Sequence, residues 1–379
     1  MSTVRTGTAA RLERLRAVLE ENGLAGIFVS APAEDIHKSV GANRRYLSGF
    51  TGSMGHLLIT LDAAYIAVDF RYFEQAERES PGFTLFQANG GMKSWLPRLL
   101  AEGRLGGERL GFEAHGLTYA TYRSLRAAVQ ALPAGDRPQM VATENLVESL
   151  RVIKEPEEIG ALARAVALGD AAFEDVAARI EPGWTEKQVA WEIERYAREH
   201  GAEGLSFPTI VAAGPWGAMP HAQPRDQAIA EGEGVVIDMG VNLDGYMSDL
   251  TRTVVAGEPD DQFKLIYDVV LAAQLTAEEL IRPGMTGGEA HMLAQKVIEE
   301  AGFGENFGHG LGHGVGLQVH ESPRVAATSD DVLEDGMVIT VEPGIYLPGW
   351  GGVRIEDMGY LKDGRFVPFT QAPKLRFSG

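Results

Sequence analysis

A six-residue motif occurs twice in this 379-residue chain, and the repeat constrains how the part from Ile180 onward can fold. Ile180-Glu-Pro-Gly-Trp-Thr185 returns 101 residues later as Ile281-Arg-Pro-Gly-Met-Thr286. Glu199 and Gly201 return at the same spacing as Glu300 and Gly302. Each copy reads as a turn followed by a helix. Pro-Gly makes the turn, and Thr185 with Gln188, or Thr286 with Glu289, forms a capping box. A strand pair carrying acidic residues follows each helix. Two related halves are expected, each delivering a pair of carboxylates to a site between them.

The first strand pair lies in GVVIDMGVNLDGYMSDLTRTV. Val235, Val236 and Ile237 lead into Asp238, Asn242 to Gly245 is turn chemistry, and Tyr246 to Val254 returns. A turn centred between Leu243 and Asp244 sets Asp238 opposite Asp249, about 5 Å apart. Two carboxylates so placed repel unless a cation or a shared proton lies between them. In the second pair, GMVITVEPGIY runs into Glu342 and VRIED brings Glu356 back. These two face each other if the turn centres on Gly349. Any one of these acids alone reads equally as a solvated strand end; two such hairpins in one half-chain weaken that alternative.

FGHGLGHGVGLQVHE holds His309, His313 and His320, with glycine at 308, 310, 312, 314 and 316. So much glycine disfavours a helix. In an extended run His309, Leu311 and His313 share one face, and the bare face permits close backbone approach. A neutral imidazole can bind a divalent ion, and an uncoordinated one nearby can donate to an oxyanion or move a proton. The alternative is a glycine-rich loop with incidental histidines. His221 stands alone in MPHAQP, and His37, His56, His115, His200 and His291 read as structural or surface residues. Asp238, Asp249, His313, Glu342 and Glu356 are a poor set for one zinc ion and a good set for two divalent ions sharing ligands.

The motifs IDMG, SDLTRT, HGLGHGVGL, VHE, VEPGIY and RIED, in that order, resemble the pita-bread metallopeptidases: methionine aminopeptidases, aminopeptidase P and prolidase. RVIKEPEEI resembles that family's linker into the catalytic domain. The resemblance implies an α+β fold, with a pita-bread catalytic domain over 146–379 that has an internal pseudo-two-fold repeat. A smaller α/β domain of creatinase/prolidase type precedes it over 1–145. By resemblance Asp238 and Asp249 are metal ligands, Asp249 bridging two ions; His313 and Glu342 bind one ion, and Glu356 bridges. Oxygen-rich ligation favours two Mn²⁺, with Co²⁺ or Zn²⁺ as alternatives. His221, His309 and His320 match the family's active-site histidines, Glu342 doubles as proton shuttle, and Arg354 matches an arginine beside Glu356.

The implied reaction is hydrolysis of an Xaa-Pro bond, in dipeptides as by prolidase or in longer peptides as by aminopeptidase P. A non-catalytic pita-bread protein that binds peptides or a partner is a third reading, and the complete donor set argues against it. A dipeptidase must read a free carboxylate, best done by a bidentate arginine. Arg45, reaching the site from this or a neighbouring subunit, is the candidate, with an exposed surface arginine as the alternative. Tyr346 is a second candidate for contact with substrate.

The first 145 residues alternate helices and strands. Leu12, Leu15, Val18 and Leu19 give Ala10 to Asn22 an apolar helical stripe. Strands are expected at Gly26 to Ser30, at His56 to Thr60 with Ala64 to Asp69 as a hairpin, at Leu110 to Phe112 and near Gln139 to Ala142. A helix is expected near Thr121 to Leu132, making an α/β domain of mixed sheet. RRYLSGFTGS and DFRYFEQA resemble the N-terminal domain of prolidase and creatinase, which methionine aminopeptidases lack. Glu34 to Ala42 makes a longer loop than that family's, either a surface insertion or a dimer contact.

A net charge of −19 opposes nonspecific nucleic-acid binding. The expected partners are small proline-containing peptides and a second copy in a homodimer, with neither nucleic acid nor membrane. No cysteine is present, which excludes disulfides and thiol chemistry. No apolar run is long enough to cross a bilayer, and Met1 to Arg16 is polar and basic, so the cytoplasm is expected.

Overall fold

The computed structural model describes residues 4–31 and 41–377. His37 and most of the expected loop insertion, residues 34–40, lie outside the described residues. The chain divides into two compact units, Met1–Arg151 and Val152–Gly379.

In the first unit, helix α1 (Val4–Glu21) buries Leu12, Leu15 and Leu19, one helical stripe. Its sheet runs in the order β4 (Thr84–Gln87), β3 (Ala64–Val68), β2 (Gly55–Thr60), β1 (Gly26–Ala31), β5 (Arg109–Glu113), β6 (Gln139–Thr143). The expected hairpin is β2–β3, and β1 pairs antiparallel with β2 but parallel with β5, so the sheet is mixed. Helices α4 (Met92–Glu102) and α5 (Tyr119–Ala131) bury Trp95, Leu96, Leu99, Leu125 and Val129 against Phe28 and Leu58 of the sheet. Sequence periodicity missed α2 (Ala42–Ser48), α3 (Phe73–Glu79), α4 and β4. The two shorter helices span seven residues each, too few to show a period, and Pro97 interrupts the pattern of α4. Helix α6 (Leu146–Val152) ends at the division.

The second unit is built twice over. Helices α7 (Pro156–Ala177) and α8 (Glu186–Glu199) form one pair, α9 (Asp261–Leu280) and α10 (Gly287–Glu300) the other. Both α8 and α10 run 14 residues, and both expected capping boxes are formed, with each threonine accepting from the third helical N–H and the Gln188 or Glu289 side chain reaching back. Each pair packs on its own hairpin. Phe173, Val189 and Ile193 are buried with Val211, Val235 and Ile237, and Val270, Ala294 and Ile298 with Ile339, Val341 and Val353.

The first hairpin is β9 (Gly234–Met239) and β10 (Val241–Leu243) returning as β11 (Tyr246–Met247) and β12 (Leu250–Val255), with β7 (Gly204–Leu205) beside β10 and β8 (Ile210–Ala213) beside β9. Its register corrects the sequence reading. Leu243 pairs with Tyr246 and Asp238 with Thr251, so the turn centres on Asp244-Gly245, one residue later than expected. Both turn residues have positive φ, 53° and 77°, the type I′ geometry that Asp-Gly favours. Asp249 is therefore the diagonal neighbour of Asp238 rather than its opposite. A one-residue turn shift moves the pairing by two and keeps both side chains on one face, so the two acids still converge.

In the second hairpin β16 (Gly344–Leu347) pairs with β17 (Gly351–Arg354) about a turn centred on Gly349, as expected, and Ile355 N donates to Pro343 O one step before Glu342 and Glu356. The same register continues as β15 (Val338–Val341) pairs with β18 (Asp357–Lys362). The glycine-rich run forms β13 (Gly312–Gly314), which lies between β14 (Glu321–Val325) and β15, and β19 (Arg365–Pro368) completes that sheet.

Candidate active site

The hairpin ends and the glycine-rich strand meet around a cavity of about 460 Å³. All five expected donors line it, as do His221, His309, His320 and Arg354. Phe207, Pro208, Ile210 and Ala326 give it an apolar wall, and Gln223 and Arg324 give it further polar ones. The close approach needs glycine. A Cβ on Gly312 would stand 2.1 Å from Thr340 O, and one on Gly314 2.1 Å from Ser322 O.

At the centre Asp249, His313 and Glu356 each offer a ligand atom within 4.8 Å of the others. His313 Nδ1 lies 3.1 Å from Gly314 O, and a carbonyl only accepts, so the Nδ1 proton donates there and Nε2 is the nitrogen turned toward the acids, carrying a proton to Glu342 or, with that proton displaced, a lone pair for a cation. Nε2 lies 3.6 Å from Asp249 Oδ2 and 3.3 Å from Glu342 Oε1. Thr340 binds this corner together, its Oγ1 accepting from His313 N and donating to Glu342 Oε1.

Arg354 organises the other side. It donates to Asp238 Oδ2 at 2.6 Å, to Tyr346 Oη at 2.8 Å and to Thr251 Oγ1 at 3.1 Å; Thr251 Oγ1 in turn donates to Glu356 Oε2 at 2.7 Å. The Tyr346 hydroxyl lies 2.9 Å from His309 Nε2, while His309 Nδ1 lies 2.8 Å from Gly310 O. The carbonyl requires the proton on Nδ1, so Tyr346 donates to Nε2. Arg252, among the largest fully buried side chains, donates to Glu356 O and to Asp357, fixing the backbone behind the ligand strand.

Two buried carboxylates, Asp249 and Glu356, and two half-buried ones, Asp238 and Glu342, share this space, and of the two arginines at the cavity Arg354 is the one hydrogen-bonded to an acid of the set. Burial raises Asp249 and Glu356 well above the usual carboxylate range, and the neighbouring acids raise them further. Asp238 is also raised by burial despite Arg354. For Glu342 burial acts upward, but the hydrogen bond and charge of His313 outweigh it and leave the group below its ordinary value. His313 correspondingly sits above its ordinary value, burial being overcome by Glu342. The arrangement calls for added positive charge. Asp238 Oδ1 is buried and has no hydrogen-bond partner, a lone pair aimed into the cluster. A prearranged imidazole tautomer, oxygen-rich donors and an orphaned carboxylate oxygen fit divalent cations.

One expectation is placed differently. Tyr346, expected against substrate, is 8% exposed and absent from the cavity wall; its hydroxyl is engaged by His309 and Arg354 behind that wall. Arg45 is half-buried on α2 of the first unit and is not among the cavity-lining residues. Sequence reading passed over Thr251, Thr340, Gln223 and Arg324. Thr251 and Arg324 each had a signal, because Thr251 alternates with Asp249 along one strand and Arg324 follows His320 in VHESPRV.

Comparison with known proteins follows the same division of the chain. The profile of metallopeptidase family M24 matches residues 160–363, and that of the creatinase/prolidase N-terminal domain matches 11–153. An Xaa-Pro dipeptidase from Pyrococcus furiosus is 35% identical over 349 residues, 92% of this chain and 93% of the relative. The structure of an Xaa-Pro dipeptidase from Bacillus anthracis superposes with a TM-score of 0.90 at 40% identity, covering 97% of this chain and 99% of that one. An X-Pro aminopeptidase from Thermotoga maritima superposes with a TM-score of 0.86 at 33% identity, covering 97% and 99%.

Proposed function

This chain belongs to metallopeptidase family M24, and from that premise we propose that it hydrolyses Xaa-Pro peptide bonds, with dipeptides as the main substrates. The observation that carries the reading is the convergence of five donors and three histidines on one cavity with an apolar wall. Asp238, Asp249, His313, Glu342 and Glu356 would hold two divalent ions, with Mn²⁺ matched best by the oxygen donors. When bound, such ions supply Lewis-acid polarisation of the scissile carbonyl and make a nucleophile available near neutral pH.

The protein's own groups do the rest. Glu342, kept ionised by His313, can take up a proton from the attacking water and pass it on. His221 and His320, both on the cavity wall, can donate to the developing oxyanion or guide the leaving nitrogen. His309 has both ring nitrogens engaged, so it orients and donates bulk rather than moving a proton freely. Phe207, Pro208 and Ile210 suit a proline ring. Arg324 stands in the cavity wall and is the first candidate for a dipeptide's carboxylate, with Arg45 the second. A homodimer and a cytoplasmic location complete the reading, tested by mass in solution and by fractionation.

Aminopeptidase P activity is the second reading, favoured by the likeness to the Thermotoga maritima enzyme. Metal-loaded protein given an Xaa-Pro dipeptide, an Xaa-Pro tripeptide and a Met-Ala peptide separates them. Faster cleavage of the dipeptide is expected. Preference for the tripeptide assigns the second reading, and cleavage of Met-Ala alone overturns both.

A further inference from the structure

The two repeats carry their cavity loops in the same way, and the difference between them singles out one ion pair. In each half the chain leading into the strand pair zips onto the start of the repeated helix. Gly183 N donates to Ile229 O, Ile229 N to Trp184 O, Glu186 N to Gln227 O and Lys187 N to Arg225 O. In the second half Gly284 N donates to Leu333 O, Leu333 N to Met285 O, Gly287 N to Asp331 O and Gly288 N to Ser329 O. Each zipped segment ends a loop that reaches the cavity. The first presents His221 and Gln223, the second His320 and Arg324.

The clamps differ. At the first helical position the first half has Glu186 and the second has Gly287. A Cβ on Gly287 would meet Arg324 O at 2.1 Å, so the second loop lies directly on the helix start, and Asp331 Oδ2 holds it by accepting from Arg324 N. In the first half the carboxylate comes from the helix instead. Glu186 is 0% exposed and accepts four hydrogen bonds: Ala213 N at 3.0 Å, Arg225 N at 2.8 Å, Arg225 Nε at 3.0 Å and Arg225 Nη2 at 2.7 Å. It thereby grips both ends of the segment from Ala213 to Arg225. The Arg225 guanidinium also lies 4.3 Å from the Trp216 ring centre, and Trp216 Nε1 donates to Gln223 O at 3.0 Å. Ala222, between His221 and Gln223, is buried with Ile210, Ala212 and Trp216. A bidentate pair with backbone bonds at both ends fixes geometry in a way a single contact cannot.

We infer that Glu186 and Arg225 are positioning residues for the reaction, a clamp on the loop from Ala213 to Arg225 that sets His221 against the substrate. The role rests on the peptidase reading of the cavity. Neither residue lines the cavity, so both act through the loop.

The test uses the full metal-loaded chain with Arg225→Met, and Arg225→Lys as the milder variant should the first not fold. Amide exchange is read across 214–224, with 316–328 as the internal control. The clamp predicts faster exchange in the first segment and none in the second. Unchanged exchange in 214–224, or an equal rise in both, overturns it, and this arm is independent of any activity. Hydrolysis of one Xaa-Pro dipeptide is then measured for Arg225→Met, His221→Ala and the double variant. Each single variant is expected to lose about ten-fold or more in kcat/KM. The double variant should fall less than two-fold below His221→Ala, because the clamp works through that histidine. Losses that multiply overturn the positioning role. An active His221→Ala with no loss overturns the reading of the cavity instead.

Discussion

Thr251 shows how much of this site rests on groups that touch no substrate. Its hydroxyl donates to Glu356 and accepts from Arg354, so it orients a carboxylate whose neighbours repel it. Thr251→Val keeps the shape and removes both bonds. Leaving a buried charged partner unsatisfied costs about 1–3 kcal/mol, and loss of an orienting partner typically weakens metal binding by about 10–100-fold. Competition against a chelator reads that shift, and wild-type affinity would remove Thr251 from the account. The two arginine candidates are separated in the same way. Arg324→Ala is expected to lose dipeptide hydrolysis while largely keeping tripeptide hydrolysis, and Arg45→Ala to spare both. The reverse result returns carboxylate reading to Arg45. Arg45 stood out in sequence because it sits in a family-like motif. Arg324 was passed over because a strand residue's facing depends on register, which a single sequence does not print.

At the scale of elements, the repeated helices were readable because their signals are local: a Pro-Gly turn, a capping threonine and its partner three residues on. The first hairpin was misplaced because the turn was centred on Leu243-Asp244, although Asp244-Gly245 is the pair whose positive φ angles a type I′ turn favours. The error left the chemistry intact because strand faces alternate with period two. The cavity loops were not legible, since their conformation is set by Glu186 and Asp331 reaching across sequence. The glycine-rich strand gives a sharp contrast. Gly308 has open space where a Cβ would stand, whereas a Cβ on Gly312 would lie 2.1 Å from Thr340 O. Gly308→Ala is expected to behave like wild type. Gly312→Ala should destabilise the second unit by about 1–3 kcal/mol or more, read as faster amide exchange in β13 and β15. Equal behaviour of the two variants would contradict the packing described here.

For the molecule as a whole, the first unit carries its own dependence on pH. Burial pushes Glu113 up to about 7 from an ordinary 4.5, Asn43 and Glu148 being its close neighbours. Between those values the folded unit keeps a proton that the unfolded chain has released. Its stability is therefore full below pH 4.5 and falls as pH rises toward 7, by about 3 kcal/mol. Burial lowers His56 to about 4 from 6.5, and its slope is opposite: stability is full above 6.5 and falls as pH drops toward 4. Glu113→Gln removes only the first effect. It should slow exchange in β1 and β5 at pH 8 relative to wild type and change little at pH 4; no difference at pH 8 would contradict this.

The second unit depends on charge brought from outside. Its two halves bring four carboxylate donors and one imidazole donor, His313, to a single cavity, and the peptidase reading requires that two divalent ions balance them. Proline release from an Xaa-Pro dipeptide, followed as metal-free protein is titrated with Mn²⁺, tests this most directly. Activity is predicted to rise until two ions are bound per chain, then level off, and to vanish on chelation. Full activity without metal, or no proline released with both ions bound, would contradict it.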